Sequence, residues 1–495
     1  MKLLAILIPA IILAAGPAKS QEKYRPAFHF SPKEKWMNDP NGMVFHKGVY
    51  HLFYQYYPGA TVWGPMHWGH ATSTDLVRWN REPVALYPDT LGYIFSGSIV
   101  VDKDNTAGFG KAGQTPLVAI FTHHQPELEK QMTGKHQYQS LAYSLDDGKS
   151  WLKYAGNPVL PNPGIVDFRD PKVMWYAPSK KWIMTLATKD RITFYESPNL
   201  KDWTRLSDFG QNLGGHGGVW ECPDLFTLDY NGKKIWVLLV SINPGGPNGG
   251  SVTQYFLGDF NGKTFTPIDK ETRWLDYGPD NYAGVTWSNT GNRKIFLGWM
   301  SNWLYGQTVP TEKWRSAMTI PRDLRIKSVN GKLYVASSPV AELARLNHSP
   351  VTLKNFIANS DTSLSSILKV KDEKNRIHLS GPAIGGYALV FSNEDGEEVV
   401  VSYDETKNKY SIDRSKSGKV NFDPLFTKLA YCPRLATDKA FSLVAIVDKA
   451  SVEVFADGGL SVMTAIYFPN KPLNKVSIRV KKPIRFSEVK GYAIF

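Results

Sequence analysis

Three acids in this chain stand in closely similar company. Asp39 lies in Trp36-Met-Asn-Asp-Pro-Asn-Gly42, Asp170 in Phe168-Arg-Asp-Pro171, and Glu221 in Trp220-Glu-Cys-Pro-Asp224. A proline follows each within two residues. Proline fixes its own φ and pushes the residue before it toward an extended conformation, so each acid is expected on stiff backbone. Asn41-Gly42 then predicts a turn that leaves Asp39 at a strand end. Arg169 beside Asp170 predicts a carboxylate held ionised. The indole and thiol flanking Glu221 predict an apolar setting that raises its pKa. One acid kept ionised and another kept protonated is the pair that cleavage of a glycosidic bond requires: one carboxylate attacks the anomeric carbon while the other acid protonates the leaving oxygen. Taken singly, each motif also reads as ordinary structure, since Asn, Asp, Pro and Gly are common turn residues. Three such acids together favour chemistry.

The elements that must position them are strands. Helical periodicity is nearly absent, and short alternating runs such as Val49–Gln55, Trp182–Ala187 and Ile235–Val240 are separated by Gly, Pro, Asn and Asp clusters. Four segments share a strand, a small polar turn and a closing aromatic. The aromatics are Trp79, Trp151, Trp203 and Phe265, spaced 72, 52 and 62 residues apart. A period near sixty with four strands per unit predicts propeller blades, and residues 21–338 leave room for about five. The competing reading is a sandwich with recurrent hairpins. Pro339–Asn347 is the best short helical segment and predicts a linker over 339–349. After Pro350 aromatics thin out and alternation becomes clean, as in Glu398–Tyr403 and Ser451–Phe455, which predicts a β-sandwich over 350–495. The expected fold is therefore all-β, a five-bladed propeller followed by a sandwich.

Residues 1–20 read as a cleavable signal peptide. Lys2 precedes an apolar run from Leu3 to Ala15, and Ala18-Lys-Ser20 offers small residues before a cut at Gln21. No cysteine follows to carry a lipid, and no later apolar stretch reaches the ~18 residues of a membrane span. The product is expected to be exported, periplasmic or secreted, with no membrane anchor. Net charge is +13, but the Lys and Arg are scattered rather than clustered, which argues against nucleic acid. Cys222 and Cys432 are the only cysteines and are expected to be free. His67 and His70 in His67-Trp-Gly-His70 should face opposite sides of a strand, as should His123 and His124, so neither pair should share a metal. No metal and no cofactor are expected. Aromatics at 13%, including 15 Trp and 24 Tyr, exceed what a core needs and suit stacking on sugars.

These motifs resemble those of glycoside hydrolase family 32, the invertase, inulinase and levanase group of β-fructosidases. The resemblance runs from about His29 to the C-terminus. It rests on Trp36–Gly42, Phe95-Ser-Gly-Ser98, Arg169-Asp-Pro171, Glu221-Cys-Pro223, Asp276-Tyr-Gly-Pro-Asp-Asn-Tyr-Ala283 and Glu453-Val-Phe455. It implies a five-bladed propeller joined to a sandwich, and a retaining hydrolase acting on levan, inulin or sucrose. In the roles it implies, Asp39 is the nucleophile and Glu221 the acid/base. Asp170 with Arg169 binds fructose hydroxyls and stabilises the transition state. Asn38, Gln55, Trp63, Phe95, Ser96, Tyr282 and Trp299 match a terminal-fructose pocket, closed at one end by Trp63 and Trp299, which favours exo-attack. The loops Phe121–Gln139 and Pro158–Asp167 are expected to set the linkage. Two alternatives stay open. Ser144–Trp151 fits the Ser-x-Asp-x-Gly-x-x-Trp hairpin of sialidases, another propeller glycosidase, and a non-catalytic sugar-binding propeller would also fit the fold. Oligomeric state is not legible.

Overall fold

A computed structural model describes residues 22–494 except 112 and 371. The expected signal peptide lies outside the described residues. Five antiparallel sheets form the blades of a propeller. Blade I holds Lys35–His46, Val49–Tyr57, His67–Ser73 and Asn80–Leu86. Blade II holds Tyr93–Val101, Leu117–His124, Gln137–Ser144 and Leu152–Lys153. Blade III holds Phe168–Tyr176, Lys181–Thr188, Arg191–Ser197 and Thr204–Phe209. Blade IV holds Val219–Tyr230, Lys233–Asn243, Val252–Phe260 and Phe265–Pro267. Blade V holds Tyr282–Thr286, Ile295–Trp299, Arg322–Val329 and Lys332–Pro339. The first strand of each blade touches the first strand of the next, and that of blade V touches that of blade I. The ring is thus closed around its innermost strands. A parallel pairing of Lys35 and Trp36 with Trp314 and Arg315 supports the closure.

The apolar runs of the sequence have two covered faces, which is why they are continuous. Leu238 and Val240 pack toward blade III with Ile183 and Phe194, while Val237 and Leu239 pack toward blade V with Phe296 and Leu324. Each of the five interfaces between blades has its own apolar cluster. The repeated aromatics lie in the link between the third and fourth strands, or at its end. Trp151, Trp203 and Phe265 fill the interface with the preceding blade, and Trp79 packs with residues of blades I and V. They seal blades to one another, not strands within one blade. Asn41-Gly42 is not a turn: Lys35–His46 continues through it, with Gly42 at φ +56 in a register shift. A Cβ there would stand 2.8 Å from the Trp68 ring and 3.0 Å from Ile99 Cδ1, so the close approach of neighbouring side chains requires glycine.

The expected helical connector is a 3₁₀ turn, Ala341–Leu346, which buries Leu343 and Leu346. Two six-stranded sheets follow between residues 347 and 494 and enclose a single apolar core. Cys222 and Cys432 are buried and unpaired.

Buried ion pairs join the two parts. Arg322 Nη1 donates to Asp276 Oδ2 at 2.8 Å, and its Nε donates to Glu453 Oε2 at 3.1 Å. Arg414 Nη1 donates to Asp280 Oδ2 at 2.5 Å. Asp276 and Asp280 also accept the backbone N–H groups of Thr464 and Ile466. The acids of Asp276–Ala283 therefore bind the sandwich, and Glu453 of the Glu453-Val-Phe455 motif binds the propeller.

His29 completes this seam, 2.8 Å from Asp448 Oδ2 and 2.9 Å from Glu453 Oε1. Burial alone would lower its pKa, but the hydrogen bonds to Asp448 and Glu453 push it up to about 9. The protonated ring therefore stabilises the fold fully below the unfolded value of 6.5, and that contribution is lost as pH rises through about 9. The unfolding midpoint is expected to fall between these pH values. His29→Gln should flatten that fall, as read by denaturant unfolding across the same range. An equal slope in both proteins would reject the assignment.

Candidate active site

The five innermost strands share one irregularity. Between Met37 and Pro40, Ile94 and Gly97, Arg169 and Lys172, Glu221 and Asp224, and Tyr282 and Val285, three steps on the inner strand oppose two on its neighbour. Each is a β-bulge, the device that re-aims a side chain and interrupts pairing. Asp39, Ser96 and Asp170 lie inside bulges, and Glu221 and Tyr282 open theirs. The prolines are now accounted for. Pro40, Pro171 and Pro223 fall in or at the edge of bulges, where a missing N–H costs the ladder little. Asp170 and Cys222 take positive φ values of 65 and 46, a conformation most side chains avoid.

The bulges bring the three acids to one cavity of about 410 Å³, lined by Asn38, Asp39, Gln55, Trp63, Phe95 and Ser96, and by Arg169, Asp170 and Glu221. Asp39 Oδ1 accepts from Asn38 Nδ2 at 3.0 Å, and its Oδ2 accepts from Ser96 Oγ at 2.8 Å. Trp36 Nε1 holds Asn38 in turn at 2.7 Å. Asp170 Oδ2 accepts the Cys222 backbone N–H at 2.9 Å. The Cys222 thiol stands between the two aspartates, 3.5 Å from Asp39 Oδ2 and 3.6 Å from Asp170 Oδ2. Burial and the three surrounding acids keep that thiol protonated, so it acts as a donor.

The electrostatics reverse the expectation from neighbours in sequence. The Arg169 guanidinium pairs with Glu221, Nη2 to Oε1 at 3.0 Å, and with Asp167 at 2.5 Å; its hydrogen bonds go to neither Asp170 oxygen. Burial pushes Asp170 up to about 7 against the pull of Arg169, with Glu221 and Asp39 adding to the rise. Asp39 is pushed up to about 6 by burial and by the Glu221 charge, opposed by Asn38, Ser96 and Cys222. Nor does Glu221 sit among apolar groups. The Trp220 indole is fully buried and donates to Gly215 O, while Glu221 itself receives Arg169 and the Tyr282 hydroxyl. Alternation along the strand separates the two neighbours.

Two aromatic residues are placed differently from the expectation. Tyr282 is buried and lies behind Glu221 rather than in the cavity wall. Trp299 is fully buried, packed against Trp36, Tyr282 and Trp303. Trp303 forms the wall in its place and, with Trp63, reaches the adjoining hollow. Sequence reasoning missed Trp303, His124, Glu129, His136, Gln137, Val166 and Asp167, which also line the cavity. Six of these seven fall in the two loops singled out for linkage. Burial drives His124 down to about 3, so its ring is neutral. The histidine pairs split as expected: His123 faces Asp89 and His124 faces Glu129, while His70 stacks on Phe53 and His67 bonds Pro65 O.

Clustered carboxyls with fixed donors, on the inner strands of a five-bladed propeller, define a site of the glycosidase class. Comparison with known proteins narrows that class. The N-terminal domain of glycosyl hydrolases family 32 matches residues 29–337, and the family's C-terminal domain matches residues 345–491. Levanase of Bacillus subtilis is 47% identical over 471 residues, 92% of this chain and 68% of that protein. The extracellular exo-inulinase of Aspergillus niger is 40% identical over 505 residues, 94% of this chain and 93% of that one. Among solved structures, exo-inulinase of Aspergillus awamori has a TM-score of 0.85 at 36% identity, covering 96% of this chain and 99% of its own. The β-fructofuranosidase of Schwanniomyces occidentalis bound to fructosyl-erythritol gives 0.86 at 32%, covering 96% and 98%. The chain belongs to glycosyl hydrolase family 32.

Proposed function

We propose that the chain is an exported, exo-acting, retaining β-fructosidase that releases fructose from fructans. Asp39 attacks the anomeric carbon while Glu221 gives its proton to the leaving oxygen. Water then attacks the anomeric carbon of the fructosyl-Asp39 intermediate, Glu221 takes its proton, and the bond from that carbon to the Asp39 oxygen breaks, freeing fructose and the Asp39 carboxylate. Asp170 does not react. Its carboxyl, fixed by the Cys222 N–H, binds hydroxyls and faces the positive charge that develops on the ring. Asn38, Gln55, Ser96, Phe95, Trp63 and Arg169 orient the sugar. Tyr282 and Trp299 act one layer behind, holding Glu221 and the wall.

The observation that carries this reading is the convergence of Asp39, Asp170 and Glu221 on a single cavity of sugar size. The adjoining hollow, about 250 Å³ and lined by Trp63, Glu221, Asn243, Trp303 and Gln307, offers room for the leaving chain on the Glu221 side. The levanase and exo-inulinase relatives support a fructan substrate, and the word exo in the latter's name supports end-on attack. Among the described residues no helix is long and apolar enough to cross a membrane. The extracellular relatives support export.

A time course on levan, inulin and sucrose tests the proposal. Fructose alone is expected from the first minutes on at least one fructan. An early ladder of oligomers rejects exo-action, and no fructose from any of the three rejects the activity.

A further inference from the structure

One cluster in the cavity wall supplies neither the nucleophile nor the acid/base. His124 ends the second strand of blade II, Glu129 rides on the short helix Pro126–Lys130, and His136 precedes the third strand. One ligand atom from each lies within 4.8 Å of the other two. His124 Nε2 is 3.2 Å from Glu129 Oε2, and His136 Nε2 is 3.9 Å from Glu129 Oε1. Zinc bound tetrahedrally through nitrogen and carboxylate arms of about 2.0–2.2 Å holds neighbouring ligand atoms roughly 3.3–3.5 Å apart, so side-chain adjustment within the 4.8 Å cluster brings these atoms to coordination.

The surroundings resemble a metal site more than a simple ion pair. Both histidine side chains are 5% exposed. His136 Nδ1 is buried with no hydrogen-bond partner, an expensive state that an ion held on that nitrogen would relieve. His124 is locked by stacking on Phe95, centroids 4.4 Å apart at 3°, and its Nδ1 lies 3.4 Å from Gln137 Nε2. The stacking fixes the plane of the ring, as it is fixed in metal-bound histidines. The Glu129 side chain is 55% exposed, so an ion can reach the cluster from the cavity. Two imidazoles and one carboxylate are a borderline donor set that favours zinc and its first-row neighbours over calcium or magnesium.

We propose that His124, Glu129 and His136 bind one divalent transition-metal ion of the zinc class. The ion ties the Gln125–Gln137 connection to blade II, and it carries no step of bond cleavage.

The test uses untagged full-length protein, stripped with EDTA and dialysed. It is titrated with Zn²⁺ by calorimetry and with Co²⁺ by visible absorption. Saturable uptake of one ion per chain is expected, together with the strong visible bands of four-coordinate Co²⁺. His136→Ala and Glu129→Gln should each weaken uptake at least about tenfold. Glu129 is exposed enough for its variant to fold even where the histidine variant does not. Absence of saturable uptake, or uptake unchanged in Glu129→Gln, overturns the proposal. Because the readout is metal uptake, its failure is distinct from any failure of the fructosidase reading.

Discussion

Asp39→Asn is expected to lower turnover on fructans by about four to six orders of magnitude, the scale seen when an enzyme loses its nucleophile. The amide keeps the shape of the side chain and can still accept from Asn38 or Ser96. It also removes a charge that burial already disfavours. Stability should therefore hold, and a matched far-UV spectrum and unfolding midpoint would separate lost chemistry from lost fold. The parent should show a further signature. Asp39 must be ionised to attack, and burial above all pushes it up to about 6. The acid limb of kcat/KM, which reports the free enzyme, should therefore lie near pH 6, with activity falling as pH drops through it. Asp170, at about 7, shares the same field, so the limb belongs to the cluster and should be broader than a single titration. Near-parental activity in Asp39→Asn would remove it as the nucleophile. An acid limb near pH 4 would mean that substrate-free Asp39 is not held up by its burial.

Arg322→Ala should cost about 3–5 kcal/mol of unfolding free energy, the range for breaking a buried pair from one side. The guanidinium is fully buried between Asp276 and Glu453, and its removal leaves two acids facing each other with fewer donors. Thr464 still serves Asp276, and His29 and the Ile320 N–H still serve Glu453, which keeps the loss within that range. Denaturant unfolding at pH 6.5 measures it. A loss below about 1 kcal/mol would class the seam with surface pairs. The variant should also lose turnover, because the segment that binds Arg322 through Asp276 continues six residues later to Tyr282, whose hydroxyl meets Glu221.

The fold and the reacting acids were legible for different reasons. The hairpins ending at Trp79, Trp151, Trp203 and Phe265 betrayed the blades, because four of the five interfaces between blades take a large apolar plug at a similar place. The acids stood out because prolines so close to them do not suit an uninterrupted inner strand. Which charge meets which acid was not legible. Arg169 and Asp170 are neighbours in sequence, yet the bulge sends the guanidinium toward Glu221, across to the next blade. The same geometry misled the reading of Glu221 from Trp220 and of a turn at Asn41-Gly42. Trp299 and Trp303 could not be told apart either: one ends a paired strand and is covered, and the other lies in the loop beyond and lines the hollow. His124, Glu129 and His136 carry no local motif, since their spacing has meaning only once the helix Pro126–Lys130 folds back.

The order in which the chain is made gives the ring a further consequence. Asp39 emerges first among the three acids, and Tyr282, behind Glu221, and Trp303, in the cavity wall, emerge more than two hundred residues later. They are joined across the contact between blades V and I, which cannot form until both exist. A chain halted after blade IV would already carry all three acids yet lack the hydroxyl behind Glu221 and one aromatic wall. Such a truncated chain is therefore expected to release no fructose, even though its three acids are in place.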